Sequence, residues 1–303
     1  MTQDSQATTG SLLRERLDVQ VRRLKDFWGF YRVSWIGMLG LFIIIGFIIV
    51  AIVAPLITPY DPRALVGTPF QPPMGEHPLG TDQVGRDIYS QLIWGSRVSL
   101  MVGLLASAFG VAIGTVIGLV SGYFRGPPDS ILMRITDLFI TLPGLPLMLI
   151  LAALLGRSMW NIIFVIAVTG WTGTAKMVRS QTLSIKERPY VEAARSVGAR
   201  DRHIIMRHIL PNVFPLVFAN AIVGIVDAIL AESGLSFLGL GDPTKPSWGQ
   251  LLRYANEAGA LATGRWWFII PPGICIMLVA IGFAFSSYNL DQILNPRLRK
   301  RRW

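Results

Sequence analysis

The sequence predicts an all-α integral membrane protein with six transmembrane helices and both termini in the cytoplasm. Three observations carry that expectation. Only 15% of the 303 residues are charged and 52% are hydrophobic, against about 25% charged in a soluble domain. Six apolar runs are long enough to cross a hydrocarbon core of about 30 Å. Six crossings return the chain to its starting side, and three in four of the 28 lysines and arginines fall on that side. The positive-inside rule makes it the cytoplasmic one.

The formal charge of +10 raises nucleic acid as a partner, but the placement of the basic residues argues against it. They flank spans, and the closing NPRLRKRRW reads as an anchor on anionic lipid, worth about 1 kcal/mol per basic residue near the surface. The single cysteine, Cys275, lies within an apolar run. It excludes an internal disulfide and a multi-cysteine metal site, so no metal is expected.

Residues 1–35 place Leu13, Leu17, Val21, Leu24, Trp28 and Tyr31 on one helical face, with Arg14, Arg16, Arg22, Arg23 and Lys25 elsewhere around it. This is the pattern of a cytoplasmic amphipathic helix on the inner membrane surface. The first span, 36–57, follows a flank too long for a signal peptide and is itself too long for a signal core. Residues 58–97 form an outer loop with turn residues Gly80, Asp82, Gly85 and Asp87, leading into a short amphipathic helix.

The second span, 98–124, carries no charge. Gly110, Gly114, Gly118 and Gly122 recur in it every fourth residue, a stripe that lets another helix approach closely in lipid. The third span, 131–156, contains Asp137, which Arg134 can reach on the same face, and is interrupted by Pro143 and Pro146. A fourth runs 158–175. The fifth, 213–240, holds Asp227 and Glu232, and the sixth, 266–290, opens on Trp266 and Trp267 and contains Pro271 and Pro272. Intramembrane acids are candidate pathway groups by default, so Asp137, Asp227 and Glu232 are carried forward as such. In the outer loop 241–265, Ser247 and Gln250 form a capping box that starts a helix. Residues 291–303 are a basic cytoplasmic tail.

Between the fourth and fifth spans lies YVEAARSVGARDRHIIMRHILPN, a charged insert on the cytoplasmic side. Pro189 suits a first helical turn, Tyr190 to Val197 continue it, and Gly198 is placed as a left-handed cap. A second helical piece, 200–209, is expected to end at Pro211. A short helix held between two spans is a lever: whatever grips it tilts both.

Glu192, Ala193, Ala194 and Gly198, followed by Leu210 and Pro211, resemble the signature of permease subunits of ABC importers. GTDQVGRD, WGSRVSL, LSFLGLG and PSWGQ, in that order, are similar to the C-type subunit of the dipeptide, oligopeptide and nickel permeases, over about 30–297. His208 stands where the broader family has an apolar residue, a departure that this branch shares. The resemblance implies a type I importer architecture, with a five-helix permease core at 98–290 and a coupling loop at 185–211. It implies a second, distinct permease subunit, two ATPases gripping the loop through Glu192, Ala193, Ala194, Gly198, Leu210 and Pro211, and an external solute-binding protein. Peptides are the expected cargo, with nickel chelates the alternative, across the inner membrane of a bacterium or archaeon.

The chain has no GxxxxGK[ST] phosphate loop, so ATP and magnesium belong to partner chains and no cofactor is expected on this one. His77, His203 and His208 fall outside the spans and no GxSxG occurs, which leaves no hydrolase site. A proton-driven carrier using the three acids is the competing class; it predicts transport by this chain alone, indifferent to ATP.

Overall fold

The computed structural model describes Gly29 and residues 31–294. The surface helix expected over Leu13 to Tyr31 lies outside the described residues up to Trp28, and the tail expected at 291–303 lies outside them beyond 294. Among the described residues the regular elements are helical. They are α1 (Trp35–Ile57), α2 (Ile88–Phe124), α3 (Gly126–Thr141), α4 (Gly144–Leu155), α5 (Met159–Gly170) and α6 (Thr172–Lys186). Then come α7 (Pro189–Ser196), α8 (Asp201–Ile204), α9 (Leu210–Phe237), α10 (Trp248–Glu257) and α11 (Trp266–Leu294).

Four helical stretches are individually long and apolar enough to cross a membrane, and the number rises to six when each of two bent pairs is counted as one span. The helix α2 is the central post. It packs along α6, α9 and α5, while α1 and α11 pair beside it. At 37 residues it is about 55 Å long, so it projects well beyond the hydrocarbon core.

The two proline pairs behave differently. Leu142 precedes Pro143 and is driven to extended backbone (φ −75°, ψ 133°), the conformation a following proline favours. The third span therefore breaks into α3 and α4, which meet at 93°. Pro271 and Pro272 instead remain within α11. The fourth span bends by 42° between α5 and α6, at Gly170 to Gly173, and its helix runs on to Lys186, eleven residues beyond the apolar run.

The fifth span corrects the sequence reading most. A break was expected at Pro211, but helical backbone runs from Asp201 to Phe237. Residues Ile205–Ile209 widen into a π-helical turn in which the Leu210 N–H donates to the Ile205 carbonyl. Proline lacks an N–H and its ring crowds the preceding turn. Widening that turn by one residue lets the helix pass the obstacle.

Outer motifs acquire clear causes. The Asp82 carboxylate accepts from Val84 N, Arg86 N and Gln91 Nε2 at 2.9, 2.9 and 3.1 Å, folding GTDQVGRD into a tight turn. Asp87 caps α2 by accepting from Ser90 N at 2.7 Å. In PSWGQ, Ser247 caps α10 and fully buried Trp248 wedges between α2 and α1. Its indole donates to the Leu92 carbonyl at 3.0 Å and meets Phe47 edge-on at 5.6 Å.

Candidate functional site

The charged insert folds as two short helices on a fixed base. In α7, Pro189 occupies the first turn and Val191 is the one fully buried side chain. The helix closes in a Schellman motif: Ala199 N donates to Ala194 O at 3.1 Å and Gly198 N to Arg195 O at 3.0 Å. That closure requires a left-handed residue after the cap, and Gly198 supplies it with φ +80°.

The underside of the insert is apolar and sealed. Val191, Ile204 and Ile209 are completely buried against Tyr123 at the inner end of α2, Ile185 on α6 and Val213 on α9. Polar anchors surround that seal. Tyr123 Oη donates to Asp201 Oδ1 at 2.5 Å, Lys186 Nζ donates to the Tyr123 carbonyl, and Arg125 pairs with Glu187 at 2.5 Å. One turn deeper, Arg179 grips Asp129 through two hydrogen bonds of 2.6 Å.

The outward face is left open. Glu192, Ala193 and Gly198 are exposed, Ala194 is half-buried, and Val197 is 85% exposed beside exposed Tyr190 and Met206. Leu210 is half-buried and Pro211 exposed at the start of α9. The insert is thus an apolar-tipped, charge-rimmed knob on a rigid base. Because α8 is continuous with α9, a displacement of the knob is delivered along a helix that crosses the membrane.

The glycine stripe faces α5 and α6. A Cβ at Gly114 would lie 2.5 Å from the Trp171 carbonyl oxygen, at Gly118 2.6 Å from that of Ala175, and at Gly122 2.7 Å from Thr182 Cβ. Gly110 is looser, 3.4 Å from the Ala167 carbonyl oxygen.

The three intramembrane acids separate into three situations. Asp137 pairs with Lys176 of α6 at 2.7 Å, across helices, rather than with Arg134 on its own helix. Glu232 is fully buried, accepting from Ser99 Oγ at 3.2 Å and Ser236 Oγ at 2.7 Å. Ser99 in turn accepts from Trp248 N, the first N–H of α10, at 3.3 Å. Glu232 thus ties the outer helix to α2 and α9, with its carboxyl group near a helix N-terminus. Asp227 is exposed and makes no hydrogen bond or ion pair among the described residues. It lines a cavity of about 180 Å³ with Ser107, Thr174 and Asn220. There Asn220 Nδ2 donates to Thr174 Oγ1 at 2.8 Å.

Ser99, Ser236 and Thr174 were not singled out from sequence. Lone hydroxyls in apolar helices give no pattern until packing brings them to a carboxylate. Among the described residues no group of three His, Cys, Asp or Glu side chains is placed to hold a metal ion.

Comparison with known proteins adds the family. The pattern described as "Binding-protein-dependent transport system inner membrane component" matches residues 114–300. That of the "N-terminal TM domain of oligopeptide transport permease C" matches 23–73. The dipeptide transport system permease protein DppC of Bacillus subtilis (strain 168) is 36% identical over 279 residues, covering 91% of this chain and 86% of that one. The oligopeptide transport system permease protein OppC of the same organism is 34% identical over 273 residues, 89% of this chain and 88% of that one. The glutathione transport system permease protein GsiD of Pectobacterium atrosepticum is 35% identical over 281 residues, 91% of each. In solved structures, a chain of the inward-facing MetNI methionine ABC transporter superposes with a TM-score of 0.52 at 16% identity. It covers 68% of this chain and 96% of that one, and carries the fold alone.

Proposed function

The chain belongs to the family of binding-protein-dependent transport system inner membrane components, and on that premise we propose that it forms half of an ATP-driven import pathway for peptides. It is a multi-pass subunit of the inner membrane and takes its place among membrane components rather than catalytic enzymes. A second, distinct permease would complete the pathway and an external solute-binding protein would deliver the cargo. Two ATPases would hydrolyse ATP, each seated on one permease.

One observation carries the reading: the Gly198-closed knob is open outward at Tyr190, Glu192, Ala193 and Val197, yet its base is sealed to α2, α6 and α9. An ATPase groove that binds the knob more tightly in one of its nucleotide states shifts the bundle toward the matching conformation; equal affinity in both states would shift nothing. Leu210 and Pro211 lie where that motion passes into α9. The peptide assignment rests on the cargo in the names of the relatives.

Gentle purification of the tagged chain from its native membrane tests this, with partner identification and an ATPase assay. Recovery with a second permease and ATPases, and hydrolysis stimulated by a peptide-loaded binding protein, is the expected result. Stimulation by a nickel-chelate-loaded protein alone would move the cargo. Recovery alone, with uptake driven by a proton gradient, would overturn the proposal.

A further inference from the structure

A groove of about 790 Å³ opens between α1 and the outer part of α2, lined by different residues from the Asp227 cavity and far from the inner knob in sequence. Its two ends differ in chemistry. Ile48 and Ile52 of α1 and Met101 and Leu104 of α2 form an apolar end, while Arg63, Arg97 and Lys245 converge on the other with Asp61 as the sole carboxylate.

The groove is oriented by the spans that build it. Arg97 immediately precedes the uncharged run of α2, so it sits at the outer interface. Seven residues further along the helix, Leu104 lies roughly 10 Å deeper. On α1, Ile52 and Ile48 lie about one and a half and two and a half turns below the helix end at Ile57. The cations are therefore at headgroup level and the aliphatic side chains at acyl-chain level.

Neutral groups position the cations. Arg97 lies over the Trp94 ring at 5.0 Å, and that indole donates to Thr58 Oγ1 at 3.1 Å. The Arg63 guanidinium donates to the Thr244 carbonyl. None of the three cations is in an ion pair among the described residues. With Asp61 in the lining and Asp242 interacting electrostatically with Lys245, one net positive charge remains at the mouth, carried chiefly by Arg97.

We propose that this groove binds an anionic phospholipid of the outer leaflet, its phosphate between Arg97, Arg63 and Lys245 and an acyl chain along α1 and α2. Guanidinium groups suit a phosphate because they offer paired donors in a fixed fork. A peptide in transit would bring its polar backbone amides against the aliphatic end, where no partner group is in the lining. The volume falls in the range of small-molecule sites, about 300–1,000 Å³, which holds a headgroup and part of one chain. The lipid would fill the space between α1 and the core and hold the outer loops, which supply Arg63 and Lys245, against α2.

The test is photolabelling of the assembled transporter in lipid nanodiscs, using photoreactive phosphatidylglycerol or photoreactive phosphatidylcholine at trace level, with the label mapped by mass spectrometry. Phosphatidylglycerol should label peptides covering 48–63 and 94–105, and unlabelled phosphatidylglycerol, not phosphatidylcholine, should compete. Arg97→Gln with Lys245→Gln should reduce labelling by roughly thirtyfold, the loss expected from removing two surface cations at about 1 kcal/mol each. Leu104→Trp, which fills the apolar end and leaves the charges intact, should reduce it as well. Equal labelling by phosphatidylcholine, or full labelling of the double variant, would overturn the site. So would disulfide trapping of a cysteine at Met101 with another protein chain, since a polypeptide would then occupy the groove. The readout is independent of uptake, so it stands or falls apart from the transport proposal.

Discussion

The Tyr123 hydroxyl donates to the Asp201 carboxylate at 2.5 Å, joining the last turn of the central helix to the first residue of the helix that becomes α9. The Lys186 ammonium packs over the Tyr123 ring at 5.0 Å, so one side chain holds three elements. A gripping surface that transmits force needs such a fixed base. Tyr123→Phe keeps the packing and removes the hydrogen bond, a loss of about 1 kcal/mol. The variant should insert and assemble normally yet transport less substrate per ATP hydrolysed. An unchanged ratio of uptake to hydrolysis in proteoliposomes would show that the bond does not serve transmission.

Gly198 makes a sharper case, because open space surrounds its Cβ position within 4 Å. Within this chain, any effect of substitution there is backbone strain, not a clash. Left-handed backbone costs ordinary residues roughly 1–2 kcal/mol, and asparagine less. Uptake should therefore fall in the order Gly, Asn, Ala, Val, with membrane insertion intact throughout. Normal ATP-driven uptake by Gly198→Val would remove the bend from the mechanism.

The proposed docking face gives a direct readout. Cysteines replacing Ala193, which is exposed, or Ala194, which is half-buried, should crosslink to an ATPase subunit, with Ala193 the more efficient. Crosslinks to lipid or to this chain alone would place the ATPase elsewhere.

Much of the fold was legible because lipid imposes a simple rule. A span needs about 20 apolar residues, and the runs at 36–57 and 98–124 supply them without a charge. The family was legible from motifs whose causes are local, such as the Asp82 turn and the Ser247 cap. Partner choice was not. Asp137 has Arg134 three residues away, but the helix path brings Lys176 nearer, and no periodicity reports on a neighbouring helix. Continuity through Pro211 was hidden for a related reason: a π-helical turn has no composition of its own. Glu232 looked like Asp227 in sequence, and only tertiary packing separates a clamped carboxylate from a free one.

The glycine stripe yields a graded test. At Gly118 an added Cβ would approach the Ala175 carbonyl oxygen to 2.6 Å, and at Gly110 the nearest atom is 3.4 Å away. Overpacking costs about 1–3 kcal/mol. Gly118→Ala should lower the thermal stability of the detergent-solubilised complex clearly, and Gly110→Ala little or not at all. Equal melting temperatures would mean that α2 and α6 part easily.

The two acids of α9 should separate stability from transport. Glu232→Ala leaves the Ser99 and Ser236 hydroxyls facing an emptied, fully buried site, and each stranded polar group costs about 1–3 kcal/mol. Its complex should melt well below the wild type, and the outer helix α10 should become protease-sensitive as its link through Ser99 to Trp248 is lost. Asp227 anchors nothing among the described residues and faces the cavity with Asn220 and Thr174, so Asp227→Asn should melt like the wild type. If cargo passes this face, the same variant should change uptake or the preference for charged peptides. Wild-type uptake of every peptide tested would remove Asp227 from the pathway, and a stable Glu232→Ala complex would mean that the buried carboxylate is not the clamp its hydrogen bonds describe.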